Sequence, residues 1–207
     1  MKHQIYGKEL ANMPYEKRPE GCDSPLWRYS QNPIISMNPF PNASRVFNSA
    51  VMAYKDEFIG VFRADTKNGI PFLFVGHSKD GIHFDFEIDP IVFHDKEGKP
   101  IKLEYAYDPR LVELEGTYYI IFCTSNHGPT LGIGKTKDFK DFELVDNPFL
   151  PFNRNGVLFP RKINGEYAMF SRPSDSGHTQ FGDIFLSYSK DMEYWGKHKH
   201  VMERGYE

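Results

Sequence analysis

The 207-residue chain is long enough for one large domain or two small ones. Its 25 basic and 28 acidic residues give a formal net charge of −3, and no basic block of the nucleic-acid-binding type is present. No run of about 18 apolar residues could span a bilayer, and residues 1–7 lack the apolar segment of a secretory signal. We therefore expect no nucleic-acid or membrane partner and a cytoplasmic location.

The cysteine and histidine residues do not suggest a metal site. Cys22 and Cys123 stand far apart without metal-type spacing, which suits a reducing compartment. His77, His83 and His94 also lack such spacing, so we predict no metal and no organic cofactor. Aromatic residues make up 15% of the chain, with 17 Gly and 15 Pro, which favours an all-β, turn-rich protein.

One short phrase occurs three times, at residues 78–84, 136–142 and 189–195. Each copy begins Ser/Thr-Lys-Asp and places a large aromatic residue four positions after the aspartate. Upstream of each copy a second similar segment recurs, at residues 57–63, 117–123 and 166–172. Two phrases that recur in step indicate an internal structural repeat.

Each repeat is predicted to form four short strands. Apolar segments and turn residues place these strands at residues 48–54, 58–63, 72–77 and 86–93, then 108–114, 118–123, 130–135 and 142–145, then 156–163, 167–172, 183–187 and 194–202. Four-stranded units at such a period are typical of a β-propeller. A β-sandwich, the competing all-β architecture, would predict no internal repeat.

The number of predicted blades is smaller than a closed propeller needs. Propellers typically have at least four blades, whereas the sequence predicts three at residues 46–207, after an N-terminal lead segment at residues 1–45. We therefore expect the chain to be the front part of a longer protein or an open fragment. A propeller that is not closed exposes a blade face and two strand edges, which favours self-association.

Polar residues near the ends of the predicted inner strands are expected to converge on the propeller axis. Asp108 begins the inner strand of the second blade and is suited to act as a general acid. Because proline restricts the residue before it, Asp108 is expected to have extended backbone. An isolated Asp before Pro more often only caps a turn, and the expected convergence is what favours a site. The converging residues are Asn48, Arg63, Asp108, Asn153, Arg154, Arg172, Asp175 and His178.

The balance of charges in this set bears on the chemistry. An inverting glycoside hydrolase needs a second carboxylate about 6.5–9.5 Å from the acid to activate water. The set has one obvious acid and several arginines, and planar guanidinium groups suit phosphate. Phosphate is a nucleophile that needs no base, so the set favours phosphorolysis of a glycosidic bond. A hydrolase on the same scaffold and a non-catalytic binding propeller stay open.

Six segments of the sequence, at residues 48–50, 60–63, 107–110, 132–138, 153–162 and 171–178, resemble glycoside hydrolase family 130. The likeness covers roughly residues 30–203. This family consists of five-bladed β-propellers, mostly inverting phosphorylases of β-mannosides. The resemblance therefore implies that about three of five blades are present here.

The resemblance also implies roles for the acid and the phosphate-binding residues. Asp108 would be the general acid, which protonates the glycosidic oxygen through the 3-hydroxyl group of the mannose. Arg154 and Arg172 would bind inorganic phosphate, the co-substrate, with Asn153 and Lys162 as neighbours.

Further residues would bind the sugar. The resemblance implies that Asn48 and Arg63 hold the mannose, whereas Tyr107, Asp175 and His178 line the acceptor subsite and select the leaving sugar. The substrate would be a β-1,4-mannoside, either mannosyl-N-acetylglucosamine or a mannooligosaccharide, and the product α-mannose 1-phosphate. A β-mannoside hydrolase is the alternative enzyme that the resemblance leaves open.

Overall fold

The computed structural model describes residues 16–174 and 182–205. These residues form fourteen β-strands and connecting turns. None of them belongs to a helix that is long and apolar enough to cross a membrane.

The strands make three sheets. The first sheet has the order β1-β2-β3-β4 and contains β1 (Ala43–Tyr54), β2 (Glu57–Thr66), β3 (Pro71–Ser78) and β4 (Asp85–Phe86). The second has the order β6-β5-β10-β9-β8-β7 and contains β5 (Phe93–His94), β6 (Pro100–Ile101), β7 (Tyr107–Leu114), β8 (Thr117–Ser125), β9 (Pro129–Thr136) and β10 (Phe142–Asp146). The third has the order β11-β12-β13-β14 and contains β11 (Asn153–Leu158), β12 (Tyr167–Pro173), β13 (Ile184–Ser189) and β14 (Trp195–Met202).

One predicted strand, at residues 86–93, is wrong. β4 ends at Phe86, and Pro90 then interrupts the segment because proline has no N–H to donate to a ladder. The chain crosses to the second sheet, where Phe93 pairs in parallel with Phe142 of β10. The Phe93 ring stacks on Phe122 with the ring centroids 4.8 Å apart, so burial of this aromatic side chain joins the first repeat to the second.

The recurring Ser/Thr-Lys-Asp phrase forms the same turn three times. In each copy the hydroxyl group accepts a hydrogen bond from the backbone N–H three residues on, at 2.8–3.0 Å. The aspartate Oδ1 accepts two more from the backbone N–H groups two and three residues further, at 2.8–3.1 Å. The side chains thus satisfy backbone donors that the turn would otherwise leave open. The repeat is therefore structural.

The middle sheet is buried on both faces. Ile120 and Phe122 of β8 belong to the apolar cluster shared with the first sheet, whereas Ile121 between them belongs to the cluster shared with the third. Side chains alternate across a strand, so one strand supplies both cores. The strands β1, β7 and β11, each at one edge of its sheet, also touch, β1 against β7 and β7 against β11. We call β1, β7 and β11 the inner strands.

Candidate active site

A β-bulge interrupts each inner strand near its start. In each bulge the inner strand advances by three residues while the paired strand advances by two. The register shifts lie at Val46/Ser49 in β1, Tyr107/Arg110 in β7 and Arg154/Val157 in β11. A bulge re-aims side chains and is frequent beside active sites. Within the three bulges lie Asn48, Asp108 and Asn155. Three scattered polar residues therefore occupy related places in the fold.

Asp108 has a φ angle of 53°, in the left-handed region. The expected extended backbone before Pro109 is therefore wrong, because the bulge imposes its own geometry on the first residue it contains. Aspartate accepts this region more readily than most residues, although the conformation still costs about 1–3 kcal/mol. The resulting bend brings the Asp108 carboxylate to the first sheet, where it contacts two predicted substrate-binding residues, Asn48 of β1 and Arg63 of β2.

The Asp108 carboxylate is held by Asn48 and Arg63. Asn48 Nδ2 donates to Asp108 Oδ1 at 2.9 Å, and an Arg63 guanidinium N–H donates to the same oxygen at 3.1 Å. Arg63 Nε also donates to Asp65 Oδ1 at 3.2 Å. The Arg63 guanidinium lies over the rings of Phe47 and Tyr107, with its central carbon 4.9 and 5.4 Å from the two centroids. These contacts fix Arg63 and, through it, the carboxylate.

Tyr107 and Cys123 connect the acid to the third sheet. They are cross-strand partners in β7 and β8. Burial raises the pKa of Tyr107 to about 12, and Arg154 works in the opposite direction. Burial also raises the pKa of Cys123, with Asp108 adding to the rise and Arg154 opposing it. Cys123 in turn donates a hydrogen bond to Asn155 of the third sheet, the residue that follows Arg154.

Arg154 and Arg172 face each other across β11 and β12. Like charges placed directly opposite in a sheet destabilise it, so an anion bound between the two guanidinium groups would relieve their repulsion. Arg154 Nε is buried and has no hydrogen-bond partner among the described residues, as is also true of Asn153 Oδ1. The Asn153 amide nitrogen donates to Ser171 Oγ at 3.3 Å. The donors and charge at this position suit phosphate.

Lys162 lies apart from the other predicted phosphate ligands. Its ammonium group pairs with Glu115 at 3.0 Å and lies 4.5 Å from the centroid of the Tyr167 ring. Glu115 follows the last residue of β7, whereas Asp108 is near its first, so about 20 Å of strand separates them. The geometry argues against Lys162 as a phosphate ligand.

Two predicted acceptor-subsite residues, Asp175 and His178, lie outside the described residues. Within residues 16–174 and 182–205 no group of three or more His, Cys, Asp or Glu side chains is arranged to hold a metal ion.

The structure adds two residues that the sequence did not point to. Asn155 lies beside Arg154 in the β11 bulge, with a φ angle of 54° that nearly equals that of Asp108. Asp65 shares Arg63 with Asp108. Asp65 could have been found from its spacing of two from Arg63 on one strand, which places both side chains on the same face. For Asn155 the available signal is Gly156, because a glycine inside a strand pattern often marks a bulge.

Comparison with known proteins identifies the family to which the chain belongs. The sequence matches the model of glycoside hydrolase family 130, described as beta-1,4-mannooligosaccharide phosphorylase, over residues 7–206. It is 50% identical over 210 residues to the beta-1,4-mannooligosaccharide phosphorylase of Ruminococcus albus, covering 98% of this chain and 63% of that protein. It is 31% identical over 134 residues to the beta-1,2-mannobiose phosphorylase of Listeria innocua, covering 64% of this chain and 37% of that protein.

The fold is also that of solved relatives. The complex of Beta-1,2-Mannobiose phosphorylase from Listeria innocua with beta-1,2-mannobiose superposes with a TM-score of 0.70 at 21% identity, covering 85% of this chain and 66% of that one. The chain therefore has an all-β, propeller-like fold and belongs to glycoside hydrolase family 130. It spans 63% and 37% of the lengths of the two relatives named above.

Proposed function

We propose that the complete protein is an inverting phosphorylase of β-1,4-mannosides, which converts a mannooligosaccharide or mannosyl-N-acetylglucosamine and inorganic phosphate into α-mannose 1-phosphate. The observation that carries this proposal is one carboxylate, Asp108, fixed by Asn48 and Arg63, with the arginine pair Arg154 and Arg172 at the bulge of the neighbouring inner strand. The name of the Ruminococcus albus relative supports the linkage.

The residues would divide the chemistry between them. Asn48 and Arg63 would orient the mannose, and Tyr107 would line the acceptor side. Phosphate held by Arg154 and Arg172 would attack the anomeric carbon as the glycosidic bond breaks. The leaving oxygen would take a proton that Asp108 supplies through the 3-hydroxyl group of the sugar. Asp108 would recover its proton from solvent before the next turnover.

Phosphate binding is the part of this proposal that depends most on charge. A dianion between Arg154 and Arg172 would place two planar, multiply donating groups on one ligand, which is the geometry in which arginine exceeds lysine. Asn153 lies next to Arg154 on β11, and we keep it as a neighbour of that anion. Lys162 is left out because of its position.

The three described sheets would be three of the five blades of a complete propeller, preceded by the lead segment that ends near residue 45. We propose that Asp175 and His178 contribute to the acceptor subsite, as the resemblance implies. The free cysteines Cys22 and Cys123 fit a cytoplasmic location, and homo-oligomer formation through open sheet edges accords with the proposal.

The test is to incubate the purified protein with β-1,4-mannobiose and with β-1,4-mannosyl-N-acetylglucosamine, each with and without inorganic phosphate. We expect α-mannose 1-phosphate only when phosphate is present, and loss of turnover in Asp108→Asn with the fold retained by circular dichroism. Asp141→Asn, an exposed aspartate of a distant turn, is the matched control and should keep full activity. Full activity in Asp108→Asn would refute the assigned role of Asp108.

A β-mannoside hydrolase is a second candidate, and Asp65 is the observation that favours it. Asp65 supplies a second carboxylate bonded to the same guanidinium group as Asp108, and inverting hydrolysis needs two carboxylates. The same incubation decides between the two enzymes. Free mannose at equal rates with and without phosphate, abolished in Asp65→Asn, would establish the hydrolase. No product from either substrate would leave a binding propeller as the remaining function.

A further inference from the structure

Cys123 lies where the second and third sheets meet. Its Sγ donates a hydrogen bond to Asn155 Oδ1 at 3.1 Å, and the Asn155 backbone N–H donates back to Sγ at 3.4 Å. The cysteine is only 1% exposed. Cys123 is the cross-strand partner of Tyr107 at the start of the β7 bulge, and Arg172 is the cross-strand partner of Arg154 at the start of the β11 bulge. Cys123 on β8 is therefore at the position equivalent to Arg172 on β12.

The two hydrogen bonds restrict the orientation of the Asn155 carboxamide. Burial raises the pKa of the Cys123 thiol, so at neutral pH the sulfur carries a proton and needs an acceptor for it. The Asn155 backbone N–H already donates to the sulfur, and the carboxamide oxygen is the acceptor that the thiol reaches. An asparagine side chain has one acceptor end and one donor end. With the oxygen turned to Cys123, the amide NH₂ group turns away from it.

The position of Asn155 in β11 relates the orientation of its carboxamide to anion binding. Asn155 follows Arg154, whose Nε is buried without a hydrogen-bond partner among the described residues. It also lies in the β11 bulge with left-handed backbone, as Asp108 lies in the β7 bulge. A carboxamide presenting its NH₂ group adds neutral donors beside a guanidinium group, and an anion accepts from both. The reversed amide would present an oxygen and repel the anion.

We propose that Cys123 is a positioning residue, which holds the Asn155 carboxamide with its NH₂ group directed to the phosphate bound by Arg154. This inference rests on the proposed function, because the anion is its co-substrate. Cys123 itself does not touch the phosphate. Its effect on the reaction passes through the side chain of Asn155 and the left-handed backbone that the paired hydrogen bonds hold in place.

The experiment compares Cys123→Ser, Cys123→Ala and Cys123→Val with the wild-type chain. Serine keeps a donor and an acceptor, alanine removes both, and valine fills the space without either. Cys22→Ala, which removes the other free cysteine in the segment before β1, is the control. For each protein the Kd of inorganic phosphate is measured by calorimetry, together with the KM values of phosphate and mannooligosaccharide and the melting temperature.

Loss of one neutral hydrogen bond corresponds to a change of about three- to tenfold in affinity. We expect Cys123→Ala and Cys123→Val to raise the Kd and the KM of phosphate by that factor. The KM of the sugar should stay within twofold of the wild-type value. In Cys123→Ser, the increase in log Kd for phosphate should be no more than half of that in Cys123→Ala. Cys22→Ala should match wild type. Valine preserves the test if the alanine variant fails to fold.

Three results would overturn the inference: unchanged phosphate affinity in the alanine and valine variants, equal changes for phosphate and sugar, or a serine variant as weak as alanine. If the wild-type chain turns over mannoside with phosphate and the variants equal it, only the role of Cys123 falls. If the wild-type chain neither binds phosphate nor depends on it, the proposed function falls together with this inference.

Discussion

Arg63 is the residue on which the geometry of the acid depends most directly. It donates to the carboxylates of Asp108 and Asp65 and lies over the rings of Phe47 and Tyr107. A planar group with several fixed donors can make all of these contacts together, whereas an ammonium group is a single point of charge on a flexible stem. Arg63 is therefore expected to tolerate no substitution, including the conservative one.

We predict that Arg63→Lys lowers kcat/KM for the mannoside by about 10- to 100-fold at saturating phosphate, because a hydrogen bond to a charged group is lost. Steady-state kinetics measure this effect, and Arg45→Lys, an exposed arginine on the neighbouring strand β1, is the control. An equal loss in both variants, or none in either, would contradict the role of Arg63.

The sequence predicted which polar residues would converge but not their local conformations. Asn48 and Arg63 contact Asp108, and residue type and repeat spacing are what marked these three residues in the sequence. The left-handed backbone of Asp108 was not predictable, since the rule for a residue before proline describes a regular chain and not a bulge. The position of Lys162 could not be read from the sequence, because nearness in sequence to Arg154 says nothing about which end of a strand a residue occupies.

At the level of single elements, close packing behind the β11 bulge supports its shape. A Cβ atom at Gly156 would come within 2.7 Å of Leu131, 2.8 Å of Ile121 and 3.1 Å of Met169. These atoms belong to both sheets that meet at the bulge. Glycine at this position therefore allows β11 to approach the second sheet closely enough to place Asn155 over Cys123.

Gly156→Ala should reduce the free energy of unfolding by about 1–3 kcal/mol, because the added methyl group overpacks this contact. It should also weaken phosphate binding by displacing the bulge. Urea denaturation measures the stability. The control is Gly196→Ala on β14, where a Cβ atom would meet nothing within 4 Å. Comparable destabilisation in both variants would show that the close approach at Gly156 is not important.

The three repeated turns make stability depend on pH in acid. Backbone N–H groups, first that of Lys140, lower the pKa of Asp138 from its ordinary 3.8. Asp191 is lowered in the same way. A carboxylate whose pKa is lower in the folded state contributes stability above its ordinary pKa and loses it as the pH falls towards the lowered value. Each turn should therefore weaken below about pH 4.

We predict that Asp138→Asn is less stable than wild type at pH 7 and that the difference shrinks between pH 5 and pH 2. Asparagine still accepts hydrogen bonds but does not titrate. Urea midpoints across this range give the difference. Asp141→Asn serves as control, since its carboxylate accepts no hydrogen bond within the described part of the chain. A gap that stays constant for Asp138→Asn would exclude the proposed linkage.

At the level of the whole molecule, the sequence repeat predicted three β-sheets. It did not predict how the chain passes from the first sheet to the second. Two recurring phrases were enough to predict three similar sheets, because the side chains of each repeat satisfy the backbone donors of the same turn. The crossing of residues 93–101 into the second sheet was not predictable, since it depends on the stacking of Phe93 on Phe122, a residue of another repeat. Such contacts are long-range and leave no periodic trace in the sequence.

The central claim is that phosphate binds between Arg154 and Arg172 while Asp108 faces the sugar. A crystal structure of the protein with inorganic phosphate and mannose tests it most directly. We predict phosphate oxygens within about 2.7–3.2 Å of both guanidinium groups and of the Asn155 amide nitrogen, and the mannose between this anion and the carboxylate of Asp108. Mannose bound beside Asp108 with phosphate ordered elsewhere, for example at Lys162, would contradict it.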